Sequence, residues 1–282
     1  IRNRHRDFYA AHDLPSFPQN DPHPWLFNHR DWMRDPGVRR KYAAEVSGID
    51  DGVGRILDAI RKLGLDEDTL VIFTGDQGLA GGHNNFWGMG DHTRPLTAYD
   101  WTFSIPMILR QPGRIPAGRR SDILVSNYDL LPTVLTWLGL ASSLPAKPPR
   151  PGRNFAPVLQ GRTVRWDNTL YFEFENVRAI RTTEWKYIER IYQQPNELYD
   201  LTRDPGEKNN LYGLPEHRRV QSDLRKRLHR FFDRYAEPQW DLWKGGRSKA
   251  DLITARFFGI KNPYRDSPYA PGPGEGIEAW KR

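Results

Sequence analysis

Two adjacent residues near the middle of the first half of the chain carry oxygen atoms that could bind a metal ion. Asp76 has a carboxylate and Gln77 an amide carbonyl, and they lie in the glycine-flanked sequence TGDQG. Both oxygens are hard ligands of the kind that suits Ca²⁺ or Mg²⁺, which take about six or more oxygens in all. Two ligands are too few, so other residues, substrate or water must complete such a site. A structural alternative is that Asp76 hydrogen-bonds its own turn.

The segments around this pair predict a strand that ends at the candidate site. The apolar run Leu70–Phe73 has the length and composition of a buried central parallel strand, and open α/β sheets bind their ligands just beyond the carboxyl ends of such strands. A helix with one buried face is predicted upstream, because apolar residues recur every three or four positions from Tyr42 to Leu63 and Gly64 follows as a C-cap. A second strand is predicted at Ile105–Leu109.

The loop between the two predicted strands holds further candidates. Its sequence, GDQGLAGGHNNFWGMGDHTRPLTAYDWTFS, is long enough to suggest a functional loop. His83 could donate a hydrogen bond or a proton to a substrate oxygen, or it could simply hold the loop in place. His92, in the sequence GDHTRP, is a second candidate, and Arg94 adds a positive charge nearby.

The second half of the chain predicts a different architecture. The sequence SNYDLLPTVLTWLG predicts a short helix, and the proline-rich SSLPAKPPRPGR leads to a new unit. An antiparallel meander is predicted there, covered by a basic amphipathic helix at Pro215–Tyr235. The predicted strands are Leu170–Phe174, Val177–Arg181, Trp185–Tyr192 and Glu197–Leu201.

The predicted fold class is therefore α/β, with helices on both faces of a mixed or parallel sheet, followed by a small α+β subdomain. Residues 1–160 are assigned to the first unit, 161–236 to the subdomain and 237–282 to an extended tail. The first 38 residues are rich in Pro, His, Asp and Trp and lack periodicity, so they predict an extended surface segment ordered by its aromatic side chains.

Composition excludes several classes of function. The 282 residues include no cysteine, which rules out disulfides, thiolate ligands and a cysteine nucleophile within this sequence. Lys and Arg outnumber acidic residues 42 to 35, which suits anionic ligands, but no aromatic-basic motif indicates nucleic acid. No apolar run approaches the roughly 18 residues of a membrane helix, so neither nucleic acid nor membrane is expected as a partner. The sequence starts at Ile1 with a charged stretch, so we expect the natural start upstream, and the localisation is undetermined.

Several motifs together closely resemble the later part of sulfatases. They are IDDGVGRILDAIRKLGLDEDTLVIFTGDQG, GGHNNFWG, IPMIL, SNYDLLPTVL, GRNFAPVLQG, RTTEWKYI and ELYDLTRDPGEKNNL, in the order of that family from about Tyr42 to Leu211. The resemblance implies an alkaline-phosphatase-like fold. It also implies a Ca²⁺ site made of two acidic residues near the N-terminus and an Asp followed by Asn, His or sometimes Gln. Asp76 and Gln77 match this last pair, and Mg²⁺ is the alternative ion.

The resemblance also implies a nucleophile that this sequence lacks. Sulfatases use a formylglycine made from Cys or Ser in a C/S-x-P-x-R motif of the N-terminal portion. Residues 143–147, SLPAK, approximate that motif but end in Lys and lie in the proline-rich crossing, so we reject them. We also reject Asp50 and Asp51 as the missing acidic ligands, because neighbours on a helix diverge by about 100°. The chain alone is therefore expected to be inactive.

One position departs from the family pattern. His83 matches a histidine common in the glycine-rich loop of sulfatases, but the family's WGKG-like stretch, whose Lys contacts sulfate, is WGMG here, with Met89. Methionine cannot donate to or neutralise an anion. Either His92 or Arg94 substitutes, or the parent enzyme has altered specificity or has lost activity.

The expected function is the hydrolysis of sulfate monoesters, of a sulfated sugar or an aryl sulfate. A phosphonate or phosphodiester hydrolase of the same superfamily and a non-catalytic relative are the alternatives. The tail is expected to wrap over a surface or join subunits in a homo-oligomer. Its Lys244 and Arg247 could reach an anionic substrate, although a solvated tail is the simpler interpretation.

Overall fold

The structure is a computed structural model that describes residues 3–26, 28–191 and 195–246. The helices are α1 Arg6–Ala10, α2 Pro36–Lys62, α3 Asp100–Phe103, α4 Leu130–Trp137, α5 Ala156–Leu159 and α6 Arg218–Tyr235. The strands are β1 Val71–Thr74, β2 Met107–Arg110, β3 Thr169–Phe174, β4 Val177–Thr182, β5 Trp185–Arg190 and β6 Glu197–Asp200. Short 3₁₀ turns lie at Arg30–Met33, His83–Asn85, Asn127–Asp129, Ala141–Ser143, Pro215–His217, Pro238–Trp240 and Leu242–Lys244. In the described part of the chain, each helix is too short or too polar to cross a bilayer.

Helix α2 starts earlier than the sequence predicts and buries less. Asp35 is its N-cap, with a side chain that accepts a hydrogen bond from Gly37 N at 2.7 Å, and Pro36 occupies the first turn. The prediction of a buried apolar face was wrong. Most of the stripe is exposed, including Ile49 at 55% and Ile56 at 59%, because α1 is the main described element that packs on α2 and it covers only part of the helix.

Strands β1 and β2 form a two-stranded antiparallel sheet, with Val71 opposite Arg110 and Thr74 opposite Met107. The prediction of a buried parallel strand at Leu70–Phe73 was wrong in both respects: the partner runs antiparallel and β1 is only half-buried. Within the described residues the sheet has no third strand and no layer on each face, and a two-stranded sheet cannot bury itself.

The C-terminal unit contains the predicted four-stranded antiparallel meander, in the order β3-β4-β5-β6. Residues alternate between its two faces, as the period of a strand requires. On one face α6 packs its buried Leu224 and Leu228 against Ile180, Tyr187 and Leu198.

The other face of this sheet packs on the long loop after β1. Val177, Ala179 and Ile188 share a core with Phe86 and Leu96 of that loop. The N-terminal segment joins the same core through Trp25, Leu26 and Met33, so its order does come from buried side chains, although it also contains α1 and a 3₁₀ turn that the sequence did not predict. The sheet therefore supports the loop that carries the candidate residues.

The tail lies mostly outside the described residues. Lys244 and Arg247 were predicted to reach an anionic substrate, and Arg247 lies outside the described residues. The expected contact of the tail with a surface or another subunit also concerns mainly residues that are not described. Lys244 pairs with Asp233 of α6 at 2.7 Å.

Candidate active site

Asp76 and Gln77 lie just past the carboxyl end of β1, where the sequence predicts the site. Both are exposed, and the Asp76 carboxylate accepts no hydrogen bond from the described residues. The Gln77 amide nitrogen contacts the Met89 sulfur. These three residues line one cavity of about 390 Å³ together with Asp91. The structure thus brings the predicted metal-ligand pair and the anomalous methionine together.

The far wall of this cavity comes from the C-terminal sheet. Phe103 stacks on Phe172 of β3 with ring centroids 4.7 Å apart, and both rings line the cavity. Arg181 of β4 also lines it and is the cation among the described residues that do so. Arg181 was not predicted from the sequence. Its signal in the sequence is an arginine directly before TTEWKYI. The face of the strand that this arginine occupies depends on the strand register, which the sequence does not give.

A buried ion network holds Arg181 and the loop in place. Arg181 donates through Nε to the Asp100 carboxylate at 3.3 Å and through a terminal nitrogen to the Thr182 carbonyl at 2.9 Å. The fully buried Lys186 pairs with Asp100 at 2.9 Å and with Glu207 at 2.7 Å. The Asp100 backbone N–H in turn donates to Glu207 at 2.6 Å. The start of α3 is therefore joined to the sheet by charge-assisted bonds.

The two carboxyl groups in this network have opposite pKa shifts. Burial raises the pKa of Asp100, but the charges of Lys186 and Arg181 outweigh it and the net pKa is lowered. Burial also raises the pKa of Glu207, and the neighbouring Asp100 charge adds to this, so the pKa stays raised despite Lys186. Asp100 therefore has two cationic partners, Lys186 and Arg181, whereas Glu207 shares Lys186 with it.

His83 is not among the described residues that line the cavity, and it packs against an aromatic ring. Its ring stacks on Trp101, with centroids 3.7 Å apart and planes at 10°. Burial lowers the pKa of His83 below 6.5 and the Lys208 charge lowers it further, against a hydrogen bond with the Ser16 backbone. The imidazole is therefore mainly neutral at neutral pH, and the single N–H of that form donates to the Ser16 backbone carbonyl. Its catalytic role stays a prediction.

His92 and Arg94 belong to the same loop as Met89 and lie outside the described lining of the cavity. The His92 ring is 4.4 Å from the His29 ring and its Nε2 is 3.5 Å from Asp91, and burial lowers its pKa. Arg94 is 4% exposed and donates to the carbonyls of Asp91 and Thr93. Both residues contact the loop itself, and neither is among the described lining residues of the cavity. Their predicted role in substrate binding is untested.

The donors present suit a hard cation in type but are too few. Asp76 supplies a carboxylate and Gln77 a carbonyl oxygen, which are ligands of the kind Ca²⁺ prefers. Among the described residues, however, no group of three or more His, Cys, Asp or Glu side chains could hold a metal ion. The residues therefore fit one side of a cation site.

Comparison with known proteins decides the family. A sulfatase model matches residues 5–140, and a model described as N-sulphoglucosamine sulphohydrolase, C-terminal, matches residues 93–234. The chain belongs to the sulfatase family. The resemblance that the motifs between Tyr42 and Leu211 indicated is confirmed, and so is the alkaline-phosphatase-like α/β class at the level of the family.

Individual sulfatases show the same relationship. The chain is 32% identical over 212 residues to the endo-4-O-sulfatase of Bacteroides thetaiotaomicron, which covers 67% of this chain and 40% of the relative. A solved structure in complex with its substrate D-glucosamine-2-N,6-O-disulfate is 26% identical, with a TM-score of 0.63, over 74% of this chain and 43% of that one. The phosphonate monoester hydrolase of Agrobacterium radiobacter is 24% identical with a TM-score of 0.62 over 73% of this chain and 43% of that one, which shows a shared fold only.

The chain spans about 40% of the length of the curated sulfatases that it matches. The similarity therefore concerns less than half of each of these relatives.

Proposed function

We propose that this chain is the C-terminal portion of a sulfatase that hydrolyses sulfate monoesters of sugars and contributes half of a divalent-metal site. The family match supports the reaction class. Relatives named for sulfated sugars, an N-acetylglucosamine-6-O-sulfatase and the structure with D-glucosamine-2-N,6-O-disulfate, favour a sugar over an aryl sulfate. The observation that carries the proposal is the placement of Asp76, Gln77 and Arg181 around one cavity at the end of β1.

The proposed division of labour follows from the side chains. Asp76 and Gln77 would hold Ca²⁺, with Mg²⁺ as the alternative, and the ion when bound supplies positive charge against the sulfate oxygens. This sequence has no cysteine and no credible C/S-x-P-x-R motif, so we place the formylglycine nucleophile outside it and expect the chain alone to be inactive.

Arg181 replaces the missing lysine in this proposal. A guanidinium has five N–H donors in a planar fork, which suits the oxygens of a tetrahedral anion. Asp100 and the Thr182 carbonyl orient it and engage only part of that donor set. Arg181 lines the same cavity as Met89, so it supplies the cation that position 89 lacks.

His83 acts beside the cavity rather than in its described wall. We assign it a hydrogen bond, or a proton, for the leaving oxygen of the ester. Its lowered pKa makes the neutral form dominant at neutral pH. A step that needs the protonated imidazole therefore slows as pH rises above the lowered pKa of this group.

Metal binding by the chain itself tests the half-site directly. Calorimetric titration with CaCl₂ should detect weak binding that Asp76→Asn abolishes, because the substitution removes the only charged ligand of the pair. Asp58→Asn is the matched control, since Asp58 is exposed on α2 and pairs with Arg61. Equal binding by wild type and Asp76→Asn would contradict the assignment.

Turnover by the full-length parent protein tests the reaction. A panel of sulfated monosaccharides, 4-nitrophenyl sulfate and phenyl phosphonate should give fastest release from a sulfated sugar, with Arg181→Met lowering kcat/KM by about 100-fold. Faster phosphonate release would favour the phosphonate hydrolase. Met89 favours a non-catalytic relative as the second candidate, and metal binding without any turnover would support it.

A further inference from the structure

A second cavity adjoins the candidate active site. It has a volume of about 470 Å³ and shares Tyr171 and Phe174 of β3 with the first cavity. Strand β3 is an edge strand of the C-terminal sheet, and the second cavity lies between it, α6 and the turn at Pro238–Trp240. A volume of this size is typical of small-molecule sites. Nothing in the assigned chemistry uses it.

Stacked aromatic rings form one wall of this cavity. Tyr171 lies parallel to Phe231, with centroids 3.8 Å apart and planes at 9°, and Tyr235 is 4.9 Å from Phe231. Trp240 completes the wall from the turn after α6. Phe231, Tyr235 and Trp240 are all half-buried, so part of each ring stays accessible. Tyr171 and Phe231 cover one face of each other, and the Arg234 guanidinium lies over the Tyr235 ring at 5.3 Å, so Trp240 offers the ring face for the C–H face of a sugar.

Carboxylates provide the polar part of the wall. Glu173, Glu175 and Glu237 line the cavity, and no Lys or Arg is among its described lining residues. A second sulfate or a carboxylate on the ligand would be repelled there, whereas sugar hydroxyls can donate to the carboxylates.

Buried Arg178 limits how acidic this wall is. It binds Glu173 at 2.9 Å and Asp241 at 2.9 Å, and its guanidinium is stacked between Phe232 and Trp243 at 4.0 and 4.1 Å. The negative charge of Glu173 is therefore already balanced by Arg178. A small inorganic cation would fill little of the volume, and an organic ammonium ion, which can also stack on aromatic rings, is the competitor that the experiment has to separate from a neutral, hydroxyl-rich ligand.

We propose that the cavity bounded by Tyr171, Phe231, Trp240 and Glu237 is a binding site for an uncharged pyranose ring. Because it adjoins the candidate active site, the ring would be the neighbour of the sulfated sugar unit in an oligosaccharide. That connection rests on the proposed function, whereas the binding of an uncharged sugar to the cavity does not. The substrate would then carry its sulfate at one unit and no anionic group at the next.

Saturation-transfer NMR on the chain tests the site without any turnover. Methyl pyranosides of glucose, galactose, mannose and N-acetylglucosamine are the probes, and tetramethylammonium is the cationic competitor. At least one pyranoside should bind with a Kd on the order of millimolar. Trp240→Ala should weaken that binding about ten-fold, since one stacking face is lost. Glu237→Gln should weaken it by a smaller factor, because the exposed carboxylate is replaced by a weaker acceptor of the same shape.

Trp32→Ala is the matched control, because Trp32 is an equally large, 40% exposed aromatic residue far from this cavity in the chain and stacks on His29. It should leave pyranoside binding unchanged. Absence of pyranoside binding, equal binding by Trp240→Ala, or binding of tetramethylammonium in preference to every pyranoside would each overturn the proposal. None of these results depends on sulfatase activity, so a failure here is distinct from a failure of the proposed function.

Discussion

The two sheets of this molecule differ sharply in how well they are buried. In the C-terminal sheet, Ile188 of β5 and Leu198 of β6 are fully buried between α6 and the long loop. In the β1-β2 pair, Ile108 is 58% exposed, and the apolar stripe of α2 is open as well. The C-terminal unit has packed elements on both faces of its sheet. Within the described residues, the β1-β2 sheet is not covered on both faces. The candidate site lies where the two units meet, and it depends on the better-packed one for Arg181.

Replacing Lys186 should have the largest effect on stability. Lys186→Met leaves Asp100 and Glu207 buried without their common cation, which should lower the free energy of unfolding by about 4 kcal/mol at pH 7. Urea unfolding followed by circular dichroism measures this. Asp100 has a lowered pKa in the wild type. Its contribution to the free energy of unfolding is therefore fully present above pH 3.8 and disappears as pH falls through the lower pKa of the folded state. A variant deficit that persists unchanged at pH 3 would contradict the ionic explanation.

Truncation of a core residue should have the next largest effect. Ile188→Ala removes a fully buried side chain that packs against Ala179 and the loop, and should cost about 3 kcal/mol. Ile108→Ala is the matched change in the open sheet and should cost about 0.5 kcal/mol or less. Similar losses in the two variants would mean that the two sheets are equally buried in solution and would remove the contrast between them.

The exposed stripe of α2 should tolerate a polar side chain. Ile56→Gln should change the free energy of unfolding by no more than about 0.5 kcal/mol, because Ile56 is 59% exposed and Gln is a good helix former. The same urea unfolding experiment measures it. A loss of several kcal/mol would show that the chain covers this face in solution.

The smallest expected effect is on the titration of His83. NMR should give an imidazole pKa below 6.5, and Trp101→Ala should move it up toward 6.5, because the stacked ring contributes to burial of the imidazole. The folded state disfavours the charged imidazole. The contribution of His83 to the free energy of unfolding is therefore fully present above pH 6.5 and is lost as pH drops through the lowered pKa of the folded state. Phe8→Ala, at an exposed ring of α1, is the control and should not shift this pKa. An unchanged His83 pKa in Trp101→Ala would rule out the stacking explanation.

Local sequence signals predicted most elements within a few residues. The sequence SNYDLLPTVLTWLG predicted α4, and the four strands of the meander were predicted with nearly correct bounds. Family motifs then placed Asp76 and Gln77, since a DQ pair at a strand end is recognisable without knowing its neighbours. Membership of the sulfatase family is a further result that the sequence motifs supported by themselves.

What failed required knowledge of non-local packing. The apolar composition of Leu70–Phe73 is the same whether its partner strand runs parallel or antiparallel, so the direction of β2 could not be read from it. The same periodicity on α2 does not say whether another layer covers the stripe.

The sequence by itself determined membership of the sulfatase family, because this depends on residue identity in short motifs. From the same motifs it predicts Asp76 and Gln77 as a metal-ligand pair and marks Met89 as a departure from the family pattern. Only the tertiary structure decided which cation lines the cavity. Arg181 is about 100 residues from Gln77 along the chain, and strand register together with the buried Lys186 network brings it to the same cavity. His92 and Arg94 are close in sequence but pack against the loop, because proximity along a chain does not fix the direction in which a side chain points.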